Sequence, residues 1–231
     1  MAVSFTVGGA LRGARAVLPL MPGAAAFGLL YGYLAAQKGM GPVEVGLSSG
    51  LVFAGASQLL ALELWSHPLP AVTILIGVLV INLRHLLMGP VLMPWLGPLG
   101  GWRGYGSLYL MTDESWGASV ADMRRGGSDA AFLPGAGMTL WLVWVACSVA
   151  GTFAGDVSGF VHDWGLEFLS TAFFVALLAG FWRGHGDLVP WLVAVIVAIL
   201  AKMAFGPGWS VLAGALAGSL LAAWRDVRRT G

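Results

Sequence analysis

Four places in this chain set ionisable or strongly polar side chains inside long apolar runs. The first is Asn82-Leu83-Arg84-His85. A guanidinium such as that of Arg84 can hold a carboxylate through two parallel hydrogen bonds. An imidazole such as that of His85 can carry a proton. Asn82 and His85 are three apart and share a helix face, with Arg84 pointing elsewhere unless the helix is broken there. The second is Thr112-Asp113-Glu114. Adjacent residues point about 100° apart on a helix, so the two acids are expected to have separate roles. One would accept an ammonium group or a proton, the other would pair with Arg84 or His85. The third is Ala54-Gly55-Ala56-Ser57-Gln58. Unwound here, the backbone of Ala54, Gly55 and Ser57 would offer free amides to an anion, as a half-helix N-terminus does. Gln58 would join it or reach another helix. The fourth is Lys202, near the end of its run, where snorkelling is the plain reading. Internal ion pairing and helix packing are the structural alternatives for the rest.

The composition says what must position them. Among 231 residues there are 12 Lys and Arg, 11 Asp and Glu, 35 Gly and 58% apolar residues, and the mean hydropathy is +0.83. A soluble domain carries about 25% charged residues; here it is 10%. That excludes soluble globular folds, and disorder requires the opposite balance. With a net charge of +1 no basic face exists for nucleic acid. The single cysteine, Cys147, allows no intrachain disulfide and implies no metal cluster. No Walker loop, HExxH, GxSxG or CxxC occurs, so no enzyme, cofactor or metal site is expected. What remains is an all-α polytopic membrane protein, because only helices satisfy the backbone where β-barrel alternation is absent.

About eight stretches approach the roughly 20 apolar residues a bilayer requires: 17–37, 44–65, 69–96, 104–121, 135–155, 164–182, 187–205 and 208–224. Eight crossings with both termini cytoplasmic put Arg12, Arg15, Arg124, Arg125, Arg183, Arg225, Arg228 and Arg229 inside, and only Lys38 and Arg103 outside. This agrees with the positive-inside rule. On this reading Arg84 lies about 22 Å along its helix from Leu69, too deep for the cytoplasmic surface, and the acid pair sits at the centre of the fourth stretch. Several spans are interrupted: Pro19, Pro22 and Gly23 in the first, Ser48-Ser49-Gly50 and Ala54-Gly55-Ala56-Ser57 in the second, Gly89-Pro90 and Pro94 in the third. Interrupted helices are tolerated where they line a cavity. The first and last three spans run oppositely, which suits an inverted repeat. Trp65, Trp95, Trp102 and Trp224 are among the tryptophans at span ends, the interfacial belt. Trp116 is the exception beside Asp113. The whole of 1–231 reads as one transmembrane domain.

Four strings occur in order: LPLMPGAAAFG at Leu18–Gly28, VFAGASQ at Val52–Gln58, NLRHLLM at Asn82–Met88 and TDE at Thr112–Glu114. Together they resemble the AzlC family (YgaZ-like), the large subunit of AzlC–AzlD branched-chain amino acid exporters. The resemblance implies a permease subunit exporting valine, leucine and isoleucine across the cytoplasmic (inner) membrane of a bacterium, with a small AzlD-type membrane partner. A zwitterion with an apolar side chain requires an anion site, a cation site and an apolar pocket. Arg84 or the Ala54–Ser57 backbone would supply the first, Asp113 or Glu114 the second, and Phe27, Phe53 and Met88 the third. Proton coupling would fall to His85, Asp113 or Glu114. The rival readings are a transporter or channel for another small solute, and a non-transporting membrane scaffold.

Overall fold

A computed structural model describes residues 3–154, 184, 186, 188–205 and 207–230. The sixth expected stretch, 164–182, lies outside these, as does part of the basis for an inverted repeat. The described regular structure is helical, apart from one isolated bridge between Ser4 and Asp129. The helices are α1 (Val7–Ala16), α2 (Met21–Gln37), α3 (Pro42–Val52), α4 (Gly55–Glu63), α5 (Ala71–Asn82), α6 (Arg84–Val91), α7 (Met93–Leu96), α8 (Gly101–Tyr109), α9 (Asp113–Arg124), α10 (Phe132–Gly151), α11 (Leu188–Phe205) and α12 (Pro207–Thr230). Among the described residues, three stretches are long and apolar enough to cross a bilayer: Val7–Gln37, Ala71–Val91 and Phe132–Ala154. The chain is thus an all-helical membrane protein with interrupted helices, as the sequence leads one to expect. It divides into two compact units, Met1–Leu62 with Asn82–Ser158, and Glu63–Ile81 with Gly159–Gly231.

In the first unit α10 is the spine. Its 20 residues carry no charge, and at 1.5 Å per residue they reach about 30 Å. α1 and α2 run alongside it in the same direction. Gly13 lies against Phe132, Gly28 against Trp144 and Cys147, and Gly32 against Ser148. At Gly32 the backbones are so close that a Cβ would lie 1.8 Å from the Ser148 carbonyl oxygen, the approach that small residues permit between membrane helices. α3 runs the other way, with Gly46 beside Val149 and Gly50 beside Trp141. The start of the chain is stitched to the loop between α9 and α10: the Ser4 amide donates to the Ser128 carbonyl (3.0 Å) and the Ala130 amide to that of Ser4 (2.9 Å). Asp129 is buried there and accepts from the Thr6 amide (3.1 Å), the Thr6 hydroxyl (2.5 Å) and the Ala131 amide (3.1 Å).

The fourth expected stretch is not one helix. α8 stops at Tyr109, and Thr112 begins α9 with a capping box in which its hydroxyl accepts from the Ser115 amide (3.3 Å) and its amide donates to the Ser115 hydroxyl (2.8 Å). The acid pair therefore occupies the first turn of a helix, where negative charge meets the positive end of the dipole, and not the middle of a span. Arg103, expected outside, lies 5.5 Å from the Phe5 ring. Trp95, expected in the interfacial belt, is buried with Ala130 and Phe132 and donates to the Gly127 carbonyl (3.1 Å). The start of α8 and the loop after α9 thus both adjoin the N-terminal segment. The third stretch breaks at Leu83, between α5 and α6, and again at Leu92.

In the second unit α11 and α12 pack antiparallel through Ala194, Ala198, Gly214 and Gly218. Lys202 is exposed on α11.

Candidate functional site

Interrupted helices leave backbone groups that lipid cannot satisfy, so each break must find partners or line a cavity. In the first unit three breaks do both. Phe53, between α3 and α4, adopts the left-handed conformation (φ 43°, ψ 46°), costly for a bulky residue. Near the end of α3, the Gly50 carbonyl accepts from the Trp141 indole N–H of α10 (3.1 Å) and from the Tyr109 hydroxyl at the end of α8. At the break after Asn82, the Asn82 carbonyl meets His85 Nδ1 at 3.2 Å. At the third break Leu110 lies against Gly137 of α10, where a Cβ would sit 2.1 Å from the Leu110 carbonyl oxygen.

These breaks converge on one cavity of about 580 Å³, within the roughly 300–1,000 Å³ of small-molecule sites. Val52, Phe53 and Ala54 line it from the first break, Asn82 and His85 from the second, and Leu108, Tyr109 and Met111 from the third. The wall is mainly apolar, with Asn82, His85 and Tyr109 as its polar side chains. Asn82 Oδ1 is buried and has no protein partner. Of the three apolar residues expected, Phe53 is in the wall. Met88 instead packs with Leu92, Leu96, Met111 and Leu133, and Phe27 does not line the cavity.

Arg84 and Asp113 do not face the cavity; they pair with each other. Each is the first residue of its helix, α6 and α9, so the ion pair ties two of the breaks together. Arg84 Nε is buried without a partner. Glu114 is exposed, so the two acids do face different surroundings. Trp116, one turn into α9, donates to the Met88 carbonyl (3.0 Å). That oxygen is free because the Leu92 amide bonds Gly89 instead.

Gly55 and Ser57 form the first turn of α4, directly beyond the cavity wall at Ala54. Ser57 Oγ is fully buried and has no partner. Gln58 is spoken for: its Nε2 donates to the Ser48 and Ser49 hydroxyls (3.1 and 3.4 Å), and its Oε1 accepts from the Trp144 indole (3.1 Å). Ser48 also hydrogen-bonds the Tyr31 hydroxyl (2.9 Å). The sequence reading passed over Tyr31, Tyr109, Trp141 and Trp144. The available signal was position: Trp141 and Trp144 lie deep within α10, away from any interfacial belt. Among the described residues no three His, Cys, Asp or Glu side chains gather closely enough to hold a metal ion.

A family model described as AzlC protein matches residues 19–157. The chain is 29% identical over 206 residues to an uncharacterized membrane protein of Archaeoglobus fulgidus, covering 84% of this chain and 85% of that one. It is 26% identical over 226 residues to the inner membrane protein YgaZ of Escherichia coli, 92% and 89% of the two chains. It is 24% identical over 206 residues to the branched-chain amino acid transport protein AzlC of Bacillus subtilis, 87% and 78% of the two. No solved structure matches.

Proposed function

This chain belongs to the AzlC family, a family of membrane transport proteins, and on that premise we propose that it is the permease subunit of a secondary exporter of branched-chain amino acids. The observation that carries this reading is the convergence of three helix breaks on one apolar cavity. Transporters build midplane sites from such broken helices, using half-helix ends as charge partners. The relative named as a branched-chain amino acid transport protein supports the substrate class.

A valine zwitterion suits the arrangement. Its side chain would rest against Phe53 and Met111, its ammonium group on Asn82 Oδ1, and its carboxylate at the first turn of α4, among Ala54, Gly55 and Ser57 with Gln58 behind them. The Arg84–Asp113 pair would open to admit substrate charge. His85, Asp113 and Glu114 are the proton carriers in this reading, and alternating access is the mechanism. We place the whole 1–231 chain, as one transporter domain, in a bacterial inner membrane with both termini cytoplasmic. It acts without a cofactor and without enzymatic turnover, beside a small AzlD-type subunit.

Reconstitution tests this. Liposomes holding the protein and its small partner should show saturable valine flux under a proton gradient, with competition by leucine. Flux that never saturates would indicate a channel, and absence of flux would remove the exporter reading. Full flux in both Arg84→Ala and Asp113→Asn would show that the ion pair has no part in it.

A further inference from the structure

A carboxylate site made of helix N-terminal amides works only if that turn is held still, and the two residues before α4 are not helical. Something outside α4 must fix it. Trp144 of α10 does so from two sides. Its ring lies against Gly55, where a Cβ would be 2.8 Å from Cη2. Its indole N–H holds Gln58 Oε1 (3.1 Å), one residue past the first turn. Gln58 in turn is bound to Ser48 and Ser49 of α3. Tyr31 of α2 stacks on Trp144 with ring centroids 5.9 Å apart and bonds Ser48. Trp144, with Gln58 and Tyr31, thus connects α2, α3, α4 and α10. Gln58, Tyr31 and Trp144 are all nearly inaccessible, so these bonds are shielded from competing water. The first turn they fix carries a fully buried hydroxyl without a partner, Ser57 Oγ, and the amides that open an α-helix have no intrahelical acceptor.

We infer that Trp144 is a positioning residue: without lining the cavity, it sets the first turn of α4 for the carboxylate of the transported amino acid. This rests on the exporter reading above. It also explains why the α4 residue facing the ring is glycine.

The test is Trp144→Phe, which keeps an aromatic ring and removes the indole N–H. Leaving Gln58 Oε1 buried and unpaired should raise the KM for valine flux by about tenfold while the maximal rate stays within about twofold. Inhibition by valinamide, which lacks the carboxylate, should not change. Adding Gln58→Leu removes the orphaned Oε1 acceptor together with the indole donor, but takes the Gln58 donor from Ser48 and Ser49; the melting temperature should recover in part while the valine KM stays high. An unaltered valine KM, or valine and valinamide weakened together, would overturn the assignment, as would recovery of the valine KM in the double variant. In each of these outcomes wild-type transport stands. Wild-type protein that moves no valine removes the exporter reading, and this assignment with it.

Discussion

Arg84 and Asp113 are the opening residues of α6 and α9, and their side chains form an ion pair. Two helix starts that are far apart in the chain are thereby tied beside the cavity. Both side chains are about one-third exposed (31% and 37%), so the pair is neither a surface bridge nor a sealed one.

Removing one partner leaves the other charge uncompensated. Arg84→Ala and Asp113→Asn should each destabilise the protein by about 1–3 kcal/mol, between the surface and buried limits. The double variant should be more stable than the sum of the two. Thermal unfolding in detergent measures this. On the proposed function, valine flux should be lost in all three.

The Gly50 carbonyl has two donors, the Tyr109 hydroxyl and the Trp141 indole. Tyr109→Phe and Trp141→Phe should each cost about 0.5–1.5 kcal/mol, the net worth of one hydrogen bond. The double variant should cost more than their sum, since only then is the carbonyl left without a partner. Additive effects in a double-mutant cycle would show that the two donors act independently.

Gly32→Ala places a methyl carbon 1.8 Å from the Ser148 carbonyl oxygen. The helix backbones must part, so the melting temperature should fall, at a cost of at least the 1–3 kcal/mol typical (~) of overpacked sites. Gly23→Ala on the same helix meets nothing within 4 Å and should be neutral or slightly stabilising. Equal effects of the two would show that backbone propensity, not the α2–α10 contact, governs α2.

Asp129 gives a pH signature. Burial by itself raises its pKa, but the Thr6 hydroxyl and amide, the Ala131 amide and the Arg12 charge together favour the ionised form more, and the carboxyl is held below the usual carboxylate value. A depressed folded pKa stabilises fully above the unfolded value of about 3.9 and is lost as pH falls through the folded one. The melting temperature should therefore drop on acidification below about pH 4. Asp129→Asn should flatten that part of the profile, and Thr6→Val should weaken it. An unchanged slope in Asp129→Asn would assign the acid sensitivity to other carboxyls.

Much of this was legible in composition and spacing, because lipid imposes strict terms on a chain. The run of α10 and the uninterrupted apolar length from Ala71 follow from hydropathy alone, and the break beside Ala54 follows from its cluster of small residues. The path of residues 95–125 did not follow. Span length counts apolar residues but does not say where a stretch is broken, and the helix start at Asp113 is signalled only by Thr112 and Ser115, a weak capping pair. The partners of Gln58 and Gly50 are 86 and 91 residues away on α10. No local pattern encodes such contacts, and a tryptophan weighed only as an interfacial anchor is easily overlooked at Trp144.

In the first unit α3, α4, α6, α8 and α9 all begin or end at the cavity. Continuous rods can only tilt or bend as wholes, and bending breaks hydrogen bonds along their length. Where rods stop together, the structure has a crease, a place where few helical hydrogen bonds stand in the way of a change in backbone torsions. The spine α10 runs past that crease unbroken, so the longest described rod of the unit backs the place where the short ones meet.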